Sequence, residues 1–231
     1  MRGTIAIVAV AGFAATSAMG QDYYNQAAFE AAAAGGGNAH ISTEDFENST
    51  PGYVIVGFGD PLTYGTPNYP FDSGLNTRLT VQSNTLGNGK TVSPHGANGL
   101  AAIEKGAGFG ESSDIVVANY FVDGFDILTM DANITAVGFN TLDVFGANSV
   151  GVMIFDTSNN LLGSFNSGAD AGGSSFFGFV SGTPIGRINV FDAAGGAEGA
   201  DNIQIWSRVP APGSAAILGL GGVIAGRRRR A

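Results

Sequence analysis

The chain has 231 residues, no cysteine, 19 acidic and 10 basic side chains, and a formal net charge of −9. The missing cysteines exclude a disulfide framework, a thiolate metal site and a cysteine nucleophile. The acidity argues against nucleic acid as a partner, because a phosphate backbone is repelled by a body of its own sign.

The N-terminus reads as a secretory signal. Arg2 supplies a positive n-region, residues 5–15 an apolar h-region, and Ala18-Met19-Gly20 puts small residues at the two positions a signal peptidase reads. Cleavage is expected before Gln21, with residues 1–20 as the signal peptide. The alternative is a retained membrane helix, for which the apolar run is short.

Residues 24–34 are the one helical stretch of the body, rich in alanine and ended by Gly35-Gly36-Gly37. After it the pattern is β. Short runs of Val, Ile, Phe and Thr recur between Gly, Asn, Asp and Pro clusters, with strands expected at 40–46, 53–56, 78–82, 99–103 and 115–119. Further strands are expected at 125–130, 133–139, 150–155, 161–165, 176–180, 185–191 and 202–206. Residues 57–76, with Pro61, Pro67 and Pro70, read as a loop excursion, and 156–160 as a hairpin connection of residues that tolerate left-handed turns. Ile203 and Ile205 alternate with Gln204 and Trp206, and Leu79 and Val81 with Thr80 and Gln82. That period predicts one dry face and one wet face. One early helix and about a dozen strands indicate an all-β, jelly-roll-like β-sandwich over 21–208.

The body offers little catalytic chemistry. His40 and His95 are the only histidines and belong to no catalytic motif; no nucleophile elbow, zinc-binding helix or phosphate loop is present. Glu104, Glu111 and Asp114 read as an acidic rim. Paired carboxylates of a hydrolase stay open as an alternative, since 19 acids allow many pairs. In a jelly roll the first and last strands tend to lie side by side, which would bring Glu47 to Asp201 and Asn202. With a backbone carbonyl and water these oxygens would suit a structural calcium ion; the plainer reading is a solvated strand end and a turn. Trp206, opposite Ile203 and Ile205, is a candidate sugar-stacking platform or else an edge cap.

The C-terminus reads as an address. Val209-Pro210-Ala211-Pro212-Gly213 leads into an uncharged run that reaches Gly226, followed by Arg227, Arg228, Arg229 and Arg230. Residues 213–226 as a helix span about 21 Å, less than a hydrocarbon core of about 30 Å. Five glycines weaken the helix further, so a temporary hold in the membrane is expected. The arginines stay cytoplasmic, which places the body across the membrane. Without both signals the body keeps Arg78, Lys90, Lys105, Arg187 and Arg208 against all 19 acids, a balance of 5 minus 19, or −14.

This order of proline motif, apolar run and arginine cluster resembles the PEP-CTERM sorting signal of bacterial exported proteins. Ala211 stands where that motif has its glutamate, as in a Val-Pro-Ala-Pro-Gly variant. The resemblance implies an exosortase-type transpeptidase as partner, with residues 209–231 as the sorting segment. The body is also similar to the jelly-roll ectodomains that often precede this signal. The residues carrying that likeness are Ala27-Ala28-Phe29-Glu30, Asp45-Phe46-Glu47, the segment 176–181 and Gly199-Ala200-Asp201-Asn202-Ile203. The expected function is a non-catalytic cell-surface or extracellular-matrix protein, exported, membrane-held and then processed. The alternative is a carbohydrate-binding module for exopolysaccharide.

Overall fold

The computed structural model describes residues 20–47, 55–58, 61–63, 79–84, 99–105, 113–118, 124–129, 131–143, 150–168, 173–192 and 198–209. Both terminal segments, 1–19 and 210–231, lie outside that set. Among the described residues no helix is long and apolar enough to cross a membrane.

In chain order the elements are β1 (Gln21–Tyr23), α1 (Gln26–Gly35), β2 (Asn38–Glu44), β3 (Ile55–Phe58), β4 (Leu62–Thr63), β5 (Leu79–Asn84), β6 (Leu100–Ile103) and β7 (Ile115–Ala118). They continue with β8 (Gly124–Thr129), β9 (Ile134–Asp143), β10 (Val150–Asp156), β11 (Leu161–Asn166), β12 (Gly173–Val180), β13 (Ile185–Asp192) and β14 (Glu198–Arg208). One antiparallel sheet runs β1-β12-β9-β14-β7-β6-β3, with β2 also paired to β14; the other runs β11-β10-β13-β8-β5-β4. The chain is therefore a β-sandwich with one short helix. Its main core lies between the sheets, where Val81, Phe125, Ile127, Val152 and Val190 of one meet Val137, Phe139, Phe177, Ile203 and Ile205 of the other.

The alternation in 202–206 and 78–82 does place Ile203, Ile205, Leu79 and Val81 in this core. The opposite faces are not wet, however. Gln204 and Trp206 are 6% and 9% exposed and Thr80 is 6% exposed. In the first case α1 is the cover. Asn25 caps that helix by accepting the Ala28 N–H at 3.0 Å, and Gly36 ends it by donating to Ala32 O at 2.9 Å. Phe29 and Ala33, one turn apart, pack with Ala136 and Trp206 on the outer face of the larger sheet.

Two glycines make that docking possible. Gly138 of β9 and Gly178 of β12 are register partners, and a Cβ on either would come within 2.7 Å of the Phe29 ring. The hollow they leave seats the ring. The hairpin at 156–160 is likewise specific: Asp156 Oδ1 accepts the Ser158 and Asn160 N–H groups at 2.8 Å each, and Asn159 sits at φ 64°. Asn supports that left-handed conformation better than most residues. The short strands β1 and β4 were not expected from sequence, β4 falling inside the stretch read as a loop.

Gly178→Ala should therefore lift Phe29 from its seat and destabilise the fold by about 1–3 kcal/mol, as overpacking typically does. Urea unfolding checks this; a variant as stable as the parent would mean the hollow is not needed.

Candidate functional site

Three polar constellations stand out, and the first is the expected meeting of chain start and chain end. β14 pairs with β9 along one edge. On its other edge, Gly199 and Ala200 pair with Val117 and Val116 of β7, while residues from Ile203 onward pair with β2, beginning at Glu44. The handover falls at Asp201 and Asn202, which form a bulge within β14 where sequence reading had placed a turn before the strand. Asn202 has φ 51° and Phe46, just beyond β2, has φ 53° although its side chain is fully buried. A buried aromatic at positive φ is held there by its surroundings.

Asp201 is the knot of this seam. It is 2% exposed, its Oδ1 accepts the Asn202 N–H and its Oδ2 accepts both the Asn202 amide, at 2.6 Å, and the Ser113 hydroxyl. Glu47 closes the other side by accepting the Asp114 N–H at 3.3 Å, and Asp114 accepts the Lys105 N–H at 2.8 Å. Burial pushes the Asp201 carboxyl up to about 7, the bonds from Ser113 and Asn202 pull against that, and the charges of Glu47 and Asp45 add to it. Glu47 and Asp201 are thus brought together as expected. Among the described residues, no three His, Cys, Asp or Glu side chains are grouped to hold a metal ion. A calcium ion here would need Asn202, backbone carbonyls and water as further ligands.

The second constellation contains Trp206. Its ring is wedged between Phe29, edge-on at 6.1 Å between centroids, and His40 at 5.2 Å. An indole 9% exposed and flanked by two rings offers no open stacking face, so the platform reading of Trp206 does not fit. It does line a cleft of about 330 Å³ with Glu30 of α1, His40 and Thr43 of β2, and Gln204 of β14. Inside this cleft Trp206 Nε1 donates to Gln204 Oε1 at 3.4 Å, and Gln204 Nε2 donates to Glu30 Oε1 at 3.2 Å. The His40 ring lies 3.0 Å from the Thr43 hydroxyl.

The third was missed by sequence reading. Asp126 is fully buried and receives Arg187 Nη1 at 3.1 Å, Asn189 at 2.9 Å, Asn84 at 3.3 Å and Gln82 at 3.4 Å. Arg187 also donates to Asn159 at 2.9 Å, and its guanidinium lies 3.7 Å above the Phe155 ring centre. The signal was available: Asp126 lies between Phe125 and Ile127 in one strand, and Arg187 precedes Ile188 in another that also carries Asn189. A carboxylate so engaged is structural, and removing either ion would strand the other.

Of the sorting residues, Val209 is exposed and its N–H donates to Gly37 O at 3.0 Å. Pro210, Ala211, Pro212, Gly213 and the four arginines lie outside the described residues, as do His95 and Glu111.

No protein-family model and no curated protein matches the chain. Among solved structures, a mutant of a family 29 carbohydrate-binding module complexed with cellulohexaose is similar over 57% of this chain and 93% of its own, at 12% identity and a TM-score of 0.31. The K2 cleaved adhesin domain of Lys-gingipain is similar over 72% of this chain and 97% of its own, at 16% identity and a TM-score of 0.32. At such scores neither likeness carries a functional argument.

The raised Asp201 carboxyl gives a pH signature. The folded state keeps its proton up to about pH 7 while the unfolded state loses it near 3.8, so stability falls as pH rises between those values and levels off above them. Asp201→Asn should flatten that part of the profile, by roughly 4 kcal/mol at most. Urea midpoints from pH 4 to 8 test it, and equal slopes in parent and variant would refute the assignment.

Proposed function

We propose that this protein is a non-catalytic cell-surface or matrix sandwich, exported by its N-terminal signal and held by its C-terminal segment. An exosortase-type transpeptidase then processes it near Pro210 to Pro212. The observation that supports this reading is where the folded body is tied off. β1 opens at Gln21, the residue after the expected signal-peptidase cut, and is paired to Val180 there. At the other end Val209, the first residue of the sorting motif, is bonded to Gly37. Gln21 and Arg208 line one cleft, so the two junctions share one side of the sandwich. A body anchored by one end and cut at both needs its junctions accessible and its strands complete without the removed segments.

Mass spectrometry of the native protein's two ends checks this directly. The expected product starts at Gln21 and ends at or near Pro212; an intact arginine tail would argue for simple retention in the membrane.

Calcium at the seam belongs to the same proposal, pinning chain start to chain end through Glu47, Asp201 and Asn202. Because a carboxylate must lose its proton before it binds a cation, calcium should raise the melting temperature more at pH 8 than at pH 6. Chelator should reverse the rise. No shift at either pH removes the metal from the proposal.

A second reading, binding of exopolysaccharide, is favoured by the cleft beside Trp206. Its volume of about 330 Å³ lies at the lower end of the range for small-molecule sites, and its walls mix aromatic carbon with amide, hydroxyl and carboxylate groups.

A further inference from the structure

The cleft between α1, β2 and β14 has a chemistry that narrows its occupant. Its volume of about 330 Å³ suits one ring-sized group and is too small for a peptide segment or a helix. His40 and Trp206 supply an aromatic wall, and Thr43 and Gln204 supply neutral donors and acceptors of the kind that pair with hydroxyl groups. Among the described residues, Glu30 is the one carboxylate in the lining, and no lysine or arginine joins it there.

The placement of Glu30 matters more than its presence. Both hydrogen bonds it receives, from Gln26 at 2.9 Å and from Gln204 at 3.2 Å, fall on Oε1. Its Oε2 takes none among the described residues. An acceptor oxygen left open in such a cleft favours a cation, through a charge-assisted hydrogen bond. The body around it carries −14, which repels uronates and other anionic sugars and draws in cationic polymers.

We propose that this cleft binds an unacetylated hexosamine residue of an amino-sugar polymer. The ammonium pairs with Glu30, ring hydroxyls meet Gln204 and Thr43, and the sugar ring lies against the exposed His40 side chain, with the closed-in Trp206 indole behind it. The proposal rests on the polysaccharide reading above and is independent of how the chain is exported or processed.

Trp206 is the only tryptophan, so its fluorescence reports on the cleft in the full chain. The full-length protein in detergent is titrated with glucosamine, glucose, N-acetylglucosamine, glucuronate and lysine methyl ester, with calorimetry alongside. Glucosamine should bind about tenfold or more tighter than glucose or N-acetylglucosamine, the discrimination one charge-assisted bond supplies. Glucuronate should not bind. Glu30→Gln, a change on a half-exposed helix face, should bring glucosamine down to the level of glucose, and Thr43→Ala should weaken both sugars.

Glucose binding as tightly as glucosamine, or a Glu30→Gln variant that still discriminates, would overturn the amino-sugar assignment while leaving the polysaccharide reading standing. Lysine ester binding as tightly as glucosamine would mean a protein amine is the occupant, and would also overturn it. Neither heat nor a fluorescence change with any sugar would overturn both.

Discussion

The sandwich depends on the edge of β14 where one partner strand replaces another. A strand that pairs with β7 over its first residues and with β2 over the rest must change neighbours somewhere, and the backbone groups at that point are in danger of being left unpaired. An unpaired buried N–H or C=O costs about as much as a lost hydrogen bond. The bulge at Asp201 and Asn202 resolves this with side chains. Asp201 reaches Ser113 ahead of β7, and Glu47 beyond β2 reaches Asp114, so the two strands that abut there are laced by the residues flanking them. Two left-handed residues, Phe46 and Asn202, let the chain turn away without breaking the core. The cost is a carboxyl buried among other carboxylates, which the structure accommodates by keeping it protonated further up the pH scale.

The same pairing of β2 with β14 creates the site proposed for a ligand. It puts His40 beside Trp206 and Thr43 beside Gln204. The short connection from α1 to β2 folds the helix back over the sheet, where Gly138 and Gly178 have left room for Phe29. Glu30 follows Phe29 in sequence and so reaches the cleft as a consequence of how its neighbour is seated. Seam, helix seat and cleft are therefore one construction, reached from residues more than 150 positions apart in the chain.

Most of the framework was legible because its signals are local. The twelve expected strands each have a counterpart, since β-branched and aromatic runs bounded by Gly, Asn and Asp mark strands whatever they pack against. The helix at 24–34 was legible from alanine and its glycine stop. What sequence could not supply was the burial of the outer faces. Thr80, Gln82, Gln204 and Trp206 alternate with core residues as wet-facing side chains would, yet they sit beneath α1 or on the face that holds the Asp126 and Arg187 pair. Period-2 alternation separates two faces; it does not say which is covered by something else. The meeting of Glu47 with Asp201 was legible only through topology, because no local feature of either segment points to the other. β1 escaped notice because a three-residue strand has no period to read.

Charge ties the interior to the surface. Of the five cations the body keeps, Arg187 is used internally, where Asp126, Asn159 and the Phe155 ring surround it. An arginine suits this role because its planar fork meets several acceptors while its face lies on an aromatic ring. Its burial beside Asp126 removes one positive and one negative charge from the exterior together. The acids still outnumber the cations after that pair is set aside, and Glu30 is set into an aromatic-walled cleft of this acidic body. A field of one sign concentrates counter-charged partners at a surface. The carboxylate in the cleft then adds the short-range discrimination that a diffuse field lacks. An acidic body whose aromatic-walled cleft is also acidic is arranged to meet a cationic polymer rather than an anionic one.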